Sequence, residues 1–180
     1  MDEMNDAATV SLAPPRPMLL LNEACAAARR CEADSVCHAV DKALGELVGH
    51  KLFAVYYLSH EARELVGIYS SRPADLPPGS PHPMGTPSWN DLVISRGQPY
   101  IGCDVDDLRW AYDDARQITD LGCTAVLNVP VVVKGETVGM VSLMHDKGWY
   151  CDEHVQLAMP FAYLLAPALA AARQLVEVAV

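Results

Sequence analysis

The chain has 180 residues, a length that suits one domain. Hydrophobic residues make up 51% of it and charged residues 20%, so it can bury a sizeable core and global disorder is excluded. Thirteen Lys and Arg residues against twenty-three Asp and Glu residues give a formal net charge of −10. A field of that sign repels phosphate groups, which argues against nucleic-acid binding and against a basic membrane-attachment segment.

The first 18 residues are predicted to form a disordered arm ahead of a single domain over residues 19–180. The arm is acidic and rich in proline, unlike the cationic and apolar regions of a secretory signal. We therefore expect a cytoplasmic protein with reduced thiols. The cysteines form no C-x-x-C pair, so zinc-ribbon and thioredoxin-like sites lose their main support. They are Cys25, Cys31, Cys37, Cys103, Cys123 and Cys151.

The domain begins with a predicted helix and a predicted hairpin. Apolar residues at steps of three and four predict one helix over residues 19–49. Two segments rich in β-branched and aromatic residues follow, Leu52–Ser59 and Glu64–Ser70, and a short polar link joins them as a hairpin. Residues 71–87 contain six prolines, which predicts a loop without helix or strand.

The middle of the chain is predicted to hold several short elements. Ser88 is expected to cap a helix that runs to Arg96, and residues 98–102 are a predicted strand. Asp104 is expected to cap a helical turn, and residues 113–121 form a further short helix. This segment, residues 88–122, is termed the roof below. It has enough apolar residues to fold back on a sheet, and long irregular segments of this kind are often functional.

A second hairpin follows the roof. The predicted strands 123–133 and 136–145 flank Lys134-Gly135, a dipeptide typical of tight turns. Pro130 lies inside the first of these strands and cannot donate a ladder hydrogen bond, so a bulge or an edge position is expected there. Consecutive hairpins indicate an antiparallel sheet with helices packed on it, an α+β domain.

The last predicted helix starts after a cap at Asp152 and runs to about residue 176. It has no charged residue between Val155 and Ala171, and Pro160 and Pro167 are expected to bend it. The apolar run falls short of an uninterrupted membrane span of ~18 residues. A helix that is apolar all round needs cover on every side. We therefore expect a second copy of the chain to complete that cover, as a symmetric homodimer.

A run of residues in the second hairpin resembles the GAF domain family. The run consists of residues 121–131 (LGCTAVLNVPV), then Gly135, then residues 137–143 (TVGMVSL). The family pattern is a small-residue turn, a strand ending in Val-Pro-apolar, a glycine turn, and a strand beginning apolar-Gly-apolar. The order of the predicted elements agrees with that family over about residues 20–176.

The resemblance implies a GAF-like, profilin-like fold with a six-stranded antiparallel sheet. The terminal helices would cover one face of that sheet, and the roof would cover the other. Members of the family usually bind a small molecule beneath the roof, and many dimerise through the terminal helices. The implied function is a dimeric, cytoplasmic sensor or signalling module of bacterial type. The sequence names no ligand or cofactor, because fold alone does not fix function.

Candidate ligand-binding residues lie on the roof and on the strands beneath it. A ligand site needs a mostly apolar pocket with a few convergent polar groups, and large aromatics beside isolated polar strand residues fit that description. The same aromatics also serve ordinary cores, so a filled interior is the competing interpretation. The candidates are Trp89, Trp110, Tyr112, Asp113, Cys123, Asn128 and Ser142.

Two cysteines raise an enzymatic alternative. A subset of GAF proteins resembles thiol reductases of free methionine sulfoxide, and such chemistry would suit a nucleophilic and a resolving thiol at Cys103 and Cys123. The spacing departs from that group, and no third cysteine lies in the roof. Buried, inert thiols are therefore the expectation.

Three other sequence patterns give weaker support for a functional site. Cys37-His38 lies in the first predicted helix, not at the position of a bilin tether in related photoreceptor domains. Cys151 and His154 share a helix face but make too few ligands for a metal site. No cyclic-nucleotide signature is present.

Overall fold

A computed structural model describes residues 14–30, 32–113 and 115–177, with side chains through residue 174. Most of the predicted arm and Cys31 lie outside the described residues. The helices are α1 (Arg16–Ala28), α2 (Ala33–Leu47), α3 (Pro87–Trp89), a π-helix (Asn90–Ser95), α4 (Val105–Ala111), α5 (Arg116–Asp120), α6 (Asp152–Tyr163) and α7 (Ala166–Glu177). The strands are β1 (Leu52–Ser59), β2 (Glu64–Ser70), β3 (Pro81–Pro83), β4 (Tyr100–Gly102), β5 (Ala125–Val133) and β6 (Glu136–His145).

The strands form one six-stranded sheet in the order β3-β2-β1-β6-β5-β4, and every pairing is antiparallel. This confirms the α+β class and the GAF-like architecture. The bounds of β1, β2 and β6 agree with the sequence prediction. The strand predicted at 123–133 begins two residues later, at Ala125.

The central strands are covered on both faces. Along β1, Phe53, Val55 and Tyr57 pack with the helices, whereas Leu52 and Tyr56 pack with the roof. Successive side chains of a strand point to opposite faces, so an almost unbroken apolar run marks a strand with cover on both sides. The sheet therefore separates two hydrophobic cores, one beneath α1, α2, α6 and α7 and one beneath the roof.

The single helix predicted over residues 19–49 is wrong. Two helices, α1 and α2, occupy this region and pack against each other. Burial is the physical reason, because folding back buries Leu20, Ala24 and Ala27 of α1. Helix α1 also begins at Arg16, so residues 16–18, assigned to the arm from the sequence, are helical.

The proline-rich loop contains a strand that the sequence analysis excluded. Pro81–Pro83 forms β3 at the sheet edge, where His82 is opposite Leu65 of β2. An edge strand tolerates proline because one side of it needs no ladder donors. Pro130 is likewise placed where no ladder donor is needed on one side of its strand. It lies beyond the part of β5 that pairs with β4, and a register shift follows between Val131 and Val132.

The roof folds as predicted in outline but not in its first cap. Thr86, not Ser88, caps α3, and its hydroxyl accepts a hydrogen bond from the Trp89 amide. The same hydroxyl donates to the Trp110 carbonyl at 2.7 Å and so ties the start of the roof to α4. Asp104 caps α4 as expected.

The final helix is broken in two. Cys151, not Asp152, is its N-cap, and α6 and α7 meet at an angle of 53°. Between them the Leu164 and Leu165 amides bond three residues back, to Phe161 and Ala162. Pro167 explains the break, because its ring cannot pack against the carbonyl four residues before it. In the described ranges no single helix is long and apolar enough to cross a membrane, and the bent α6–α7 pair reaches that length only jointly.

Candidate functional site

A buried hydrogen-bond cluster joins the sheet to the roof. Asn128 on β5 is directly opposite Ser142 on β6, and alternation turns both side chains toward the roof. The Asn128 amide nitrogen donates to the Ser142 hydroxyl at 2.8 Å. Both residues are almost fully buried, so their polar atoms need partners within the protein.

Two roof side chains supply those partners. The Trp89 indole N–H donates to Asn128 Oδ1 at 3.1 Å, and the Tyr112 hydroxyl donates to the same oxygen at 2.7 Å. Burial raises the pKa of the Tyr112 phenol well above its ordinary value, so the hydroxyl stays protonated and remains a donor. The Asn128 side-chain oxygen therefore holds Trp89 and Tyr112 in fixed positions over β5.

A pocket lies beside this cluster, between the roof-facing side of the sheet, the proline-rich loop and residues 112–121. The pocket is partly open to solvent. The lining is mostly apolar and comes from the four strands β1, β2, β3 and β6, from the proline-rich loop and from residues 112–121. The lining residues are Leu52, Tyr56, Leu65, Leu76, His82, Pro83, Met84, Tyr112, Asp113, Gln117, Ile118, Leu121, Met140, Ser142 and Met144.

Three of the sequence-predicted site residues line this pocket. Tyr112 and Ser142 contribute hydroxyl groups, and Asp113 contributes an exposed carboxylate. Trp89 and Asn128 lie in the adjacent hydrogen-bond cluster and support the wall formed by Tyr112. The structure therefore has both a packed core beneath the roof and a partly open pocket beside it.

The other two predicted residues lie elsewhere. Trp110 does not line the pocket, because its ring stacks on Tyr100 with a centroid distance of 5.2 Å and its side of the roof faces outward, where it is 44% exposed. Cys123 is fully buried in the core beneath the roof and is also not among the lining residues. The sequence predicts both as ligand-binding residues because of their residue types. The tertiary packing of the protein places both outside the pocket.

His82 is a pocket residue that the sequence analysis missed. Its ring meets Tyr56 edge to face at a centroid distance of 5.5 Å, and its Nε2 atom is buried without a hydrogen-bond partner. Burial lowers the pKa of this imidazole, which favours the neutral form. The available signal was weak: a histidine between two prolines, Pro81 and Pro83.

The thiols give no support to reductase chemistry. Cys123 is fully buried, and burial raises the pKa of its thiol, whereas a reactive cysteine needs an accessible thiolate. Cys103 is exposed, and both of these cysteines are free. Cys37 is buried in α2. Among the residues that the structure describes, no group of three or more His, Cys, Asp or Glu side chains is placed to hold a metal ion.

Solved structures with this fold include several GAF domains. The GAF domain of a phosphoenolpyruvate-protein phosphotransferase from Coxiella burnetii superposes with a TM-score of 0.71 at 18% identity, over 90% of this chain and 97% of that chain. The GAF domain of a two-component sensor histidine kinase from Bacillus halodurans has a TM-score of 0.63 at 17% identity, over 79% and 97% of the two chains. The chromophore-binding domain of a bacteriophytochrome from R. palustris has a TM-score of 0.63 at 13% identity, over 90% and 61%.

Sequence comparison gives the family itself. No curated protein matches the chain at a significant level. The family model described as GAF domain matches residues 18–170, which cover most of the chain and include the roof, all six strands, α2, α6, most of α1 and the start of α7. The chain belongs to the GAF domain family.

Proposed function

We propose that this chain is a sensory module that binds a small, mostly apolar molecule in the pocket between the roof and strands β1, β2 and β6. The observation that carries the proposal is the pocket itself: a mostly apolar lining with a few polar groups at defined positions. Such a combination is typical of small-molecule sites. The GAF family consists of sensory and ligand-binding modules, and its relatives include domains of sensor kinases and a chromophore-binding domain.

The direct test is a ligand search with the full chain. Native mass spectrometry of the purified protein, followed by thermal-shift screening of a small-molecule library, would identify a bound or stabilising compound. A ligand that binds only the folded state raises the apparent stability by an amount set by its concentration relative to Kd. Failure of every compound to bind or stabilise the protein would overturn the proposal.

Two variants test where the ligand binds, one that introduces a tryptophan in the pocket and one that removes a tryptophan outside it. Leu76 is half-buried in the proline-rich loop and lines the pocket, so Leu76→Trp is expected to fill the cavity and weaken ligand binding at least about tenfold, a cost of about 1.4 kcal/mol. Trp110→Ala is the control, because Trp110 lies outside the pocket. Its Kd is expected to stay within about twofold of the wild type. Equal losses in both variants, measured by calorimetry, would place the ligand elsewhere.

We also propose that the chain forms a homodimer through its terminal helices. Support comes from exposed apolar side chains in the helix layer: Met18 and Leu19 on α1 are 47% and 38% exposed, and Tyr163 at the end of α6 is 43% exposed. Large apolar side chains that cluster at a surface often mark an interface.

The oligomeric state tests the dimer proposal. Met18→Lys combined with Leu19→Lys is expected to halve the mass measured by light scattering after size exclusion. Val133→Lys serves as a matched control, because Val133 is similarly exposed, at 37%, but lies at the end of β5. The control should remain dimeric. A monomeric wild type at micromolar concentration would contradict the proposal.

A further inference from the structure

One residue of the pocket lining, His82, carries a polar side-chain atom that has no partner within the protein. In the described parts of the chain, two buried side-chain atoms lack a hydrogen-bond partner, His82 Nε2 and Asn90 Oδ1. Only His82 lines the pocket. A buried polar atom without a partner is costly, so a ligand that pairs with His82 Nε2 gains more than one that merely fills the space.

The orientation of the histidine is fixed by packing. His82 is opposite Leu65 in the β2–β3 register, and its ring lies edge to face against Tyr56. Prolines precede and follow it, and a proline restricts both its own backbone and that of the preceding residue. The unpartnered nitrogen is therefore held in place before any ligand arrives, which reduces the ordering cost of binding.

The surrounding side chains favour a flat ring. Tyr56 and Tyr112 contribute aromatic groups, and Met140 and Met144 contribute thioethers from β6. Aromatic pairs and sulfur–aromatic contacts both add to the energy of simple burial. A single aromatic ring is the smallest group that can make both kinds of contact.

The charge of the lining argues against an anion. Asp113 is the acidic residue of the lining, and the described lining residues include no Lys or Arg. The chain as a whole carries a formal charge of −10. An anionic ligand would meet repulsion without a compensating cation.

We infer that the ligand is a small neutral aromatic molecule with a hydroxyl group, and that this hydroxyl binds His82 Nε2. A hydroxyl both donates and accepts, so it pairs with Nε2 in either tautomer of the neutral imidazole. This inference rests on the proposed function, since it names the chemistry of the molecule in the same pocket. His82 is then the residue that determines specificity.

The test compares phenol with toluene, two probes of nearly equal size that differ in the hydroxyl. Kd values are measured for the full chain by ligand-observed NMR at pH 7.5. We expect the wild type to bind phenol about tenfold more tightly than toluene. In His82→Phe the two Kd values should become equal within about twofold, with toluene binding retained. His82→Leu gives the same comparison with a smaller apolar side chain, should the aromatic replacement disturb the edge strand.

His60→Phe is the matched control, because His60 is exposed in the β1–β2 turn, away from the lining residues. It should keep the phenol preference. Equal binding of phenol and toluene by the wild type would overturn the hydroxyl inference while leaving a ligand-binding pocket. A preference that persists in both His82 variants would overturn the role of His82. Binding of neither probe would overturn the inference, and the library search then decides the proposed function separately.

Discussion

Gly139→Ala is expected to destabilise the protein by about 3 kcal/mol, because there is no space for a methyl group at this position. A Cβ at Gly139 would lie 2.3 Å from the carbonyl oxygen of Tyr56 on β1 and 2.8 Å from Leu169 Cδ2 on α7. The first contact is with backbone, so it cannot be relieved by a side-chain rotation. The measurement is urea unfolding followed by circular dichroism, with the expected loss read from the midpoint at constant slope.

Gly67→Ala provides the control for this substitution. Gly67 also lies in a strand, β2, and its added Cβ would meet no atom closer than 3.9 Å. Its stability should change by less than about 1 kcal/mol. Similar losses at both positions would show that strand conformation, and not close approach of α7 and β1, determines the requirement for glycine in β6. A larger loss of stability at Gly139 than at Gly67 would explain why β6 begins with the apolar-Gly-apolar pattern by which the sequence resembles its family.

Asn128→Leu is expected to cost about 2–4 kcal/mol of stability. The two side chains have similar size, so the loss comes from hydrogen bonding and not from volume. The substitution leaves the Trp89 indole N–H and the Tyr112 hydroxyl without their shared acceptor, and it removes the donor to Ser142. Each buried polar group left unpaired costs about 1–3 kcal/mol. Equilibrium unfolding in urea measures the loss.

The same change at an exposed amide should be nearly neutral. Gln98 is exposed between the π-helix and β4, so Gln98→Leu is expected to stay within about 0.5 kcal/mol of the wild type. A wild-type midpoint for Asn128→Leu would mean that the roof closes on the sheet by apolar contact alone. In that case the cluster would not be what positions Tyr112 at the pocket.

Most of the sheet is predictable because the sequences of its longer strands favour β-structure locally. β1 and β2 are rich in aromatic and β-branched residues, and the β5–β6 hairpin has a Lys134-Gly135 turn in which both residues adopt positive φ. β3 had no such signal. Its three residues include two prolines, and only pairing with β2 makes them a strand.

The helix boundaries could not be read from periodicity alone. No glycine or proline separates α1 from α2, so no backbone-breaking residue marks where one helix ends and the next begins. What divides them is the burial gained when α1 folds back on α2, a tertiary effect that outweighs local preference.

The site was predicted at the level of its elements but not of every residue. Asn128 and Ser142 stood out as polar residues in apolar strands, and both are buried beneath the roof. The size of Trp110 suggests a ligand contact, but its ring stacks on Tyr100 at the outer surface. His82 belongs to no sequence motif, and the missing partner at Nε2 is evident only from the positions of the surrounding atoms.

The bend between α6 and α7 determines how events in the pocket can reach the end of the chain. α7 contacts β1 and β6 directly, and residues on the opposite face of these two strands line the pocket. A single layer of backbone therefore separates a bound molecule from the C-terminal helix. Because α7 is set at 53° to α6 and packs on β1 and β6 itself, a ligand that changed the twist of these two strands would act on α7 directly and not through α6.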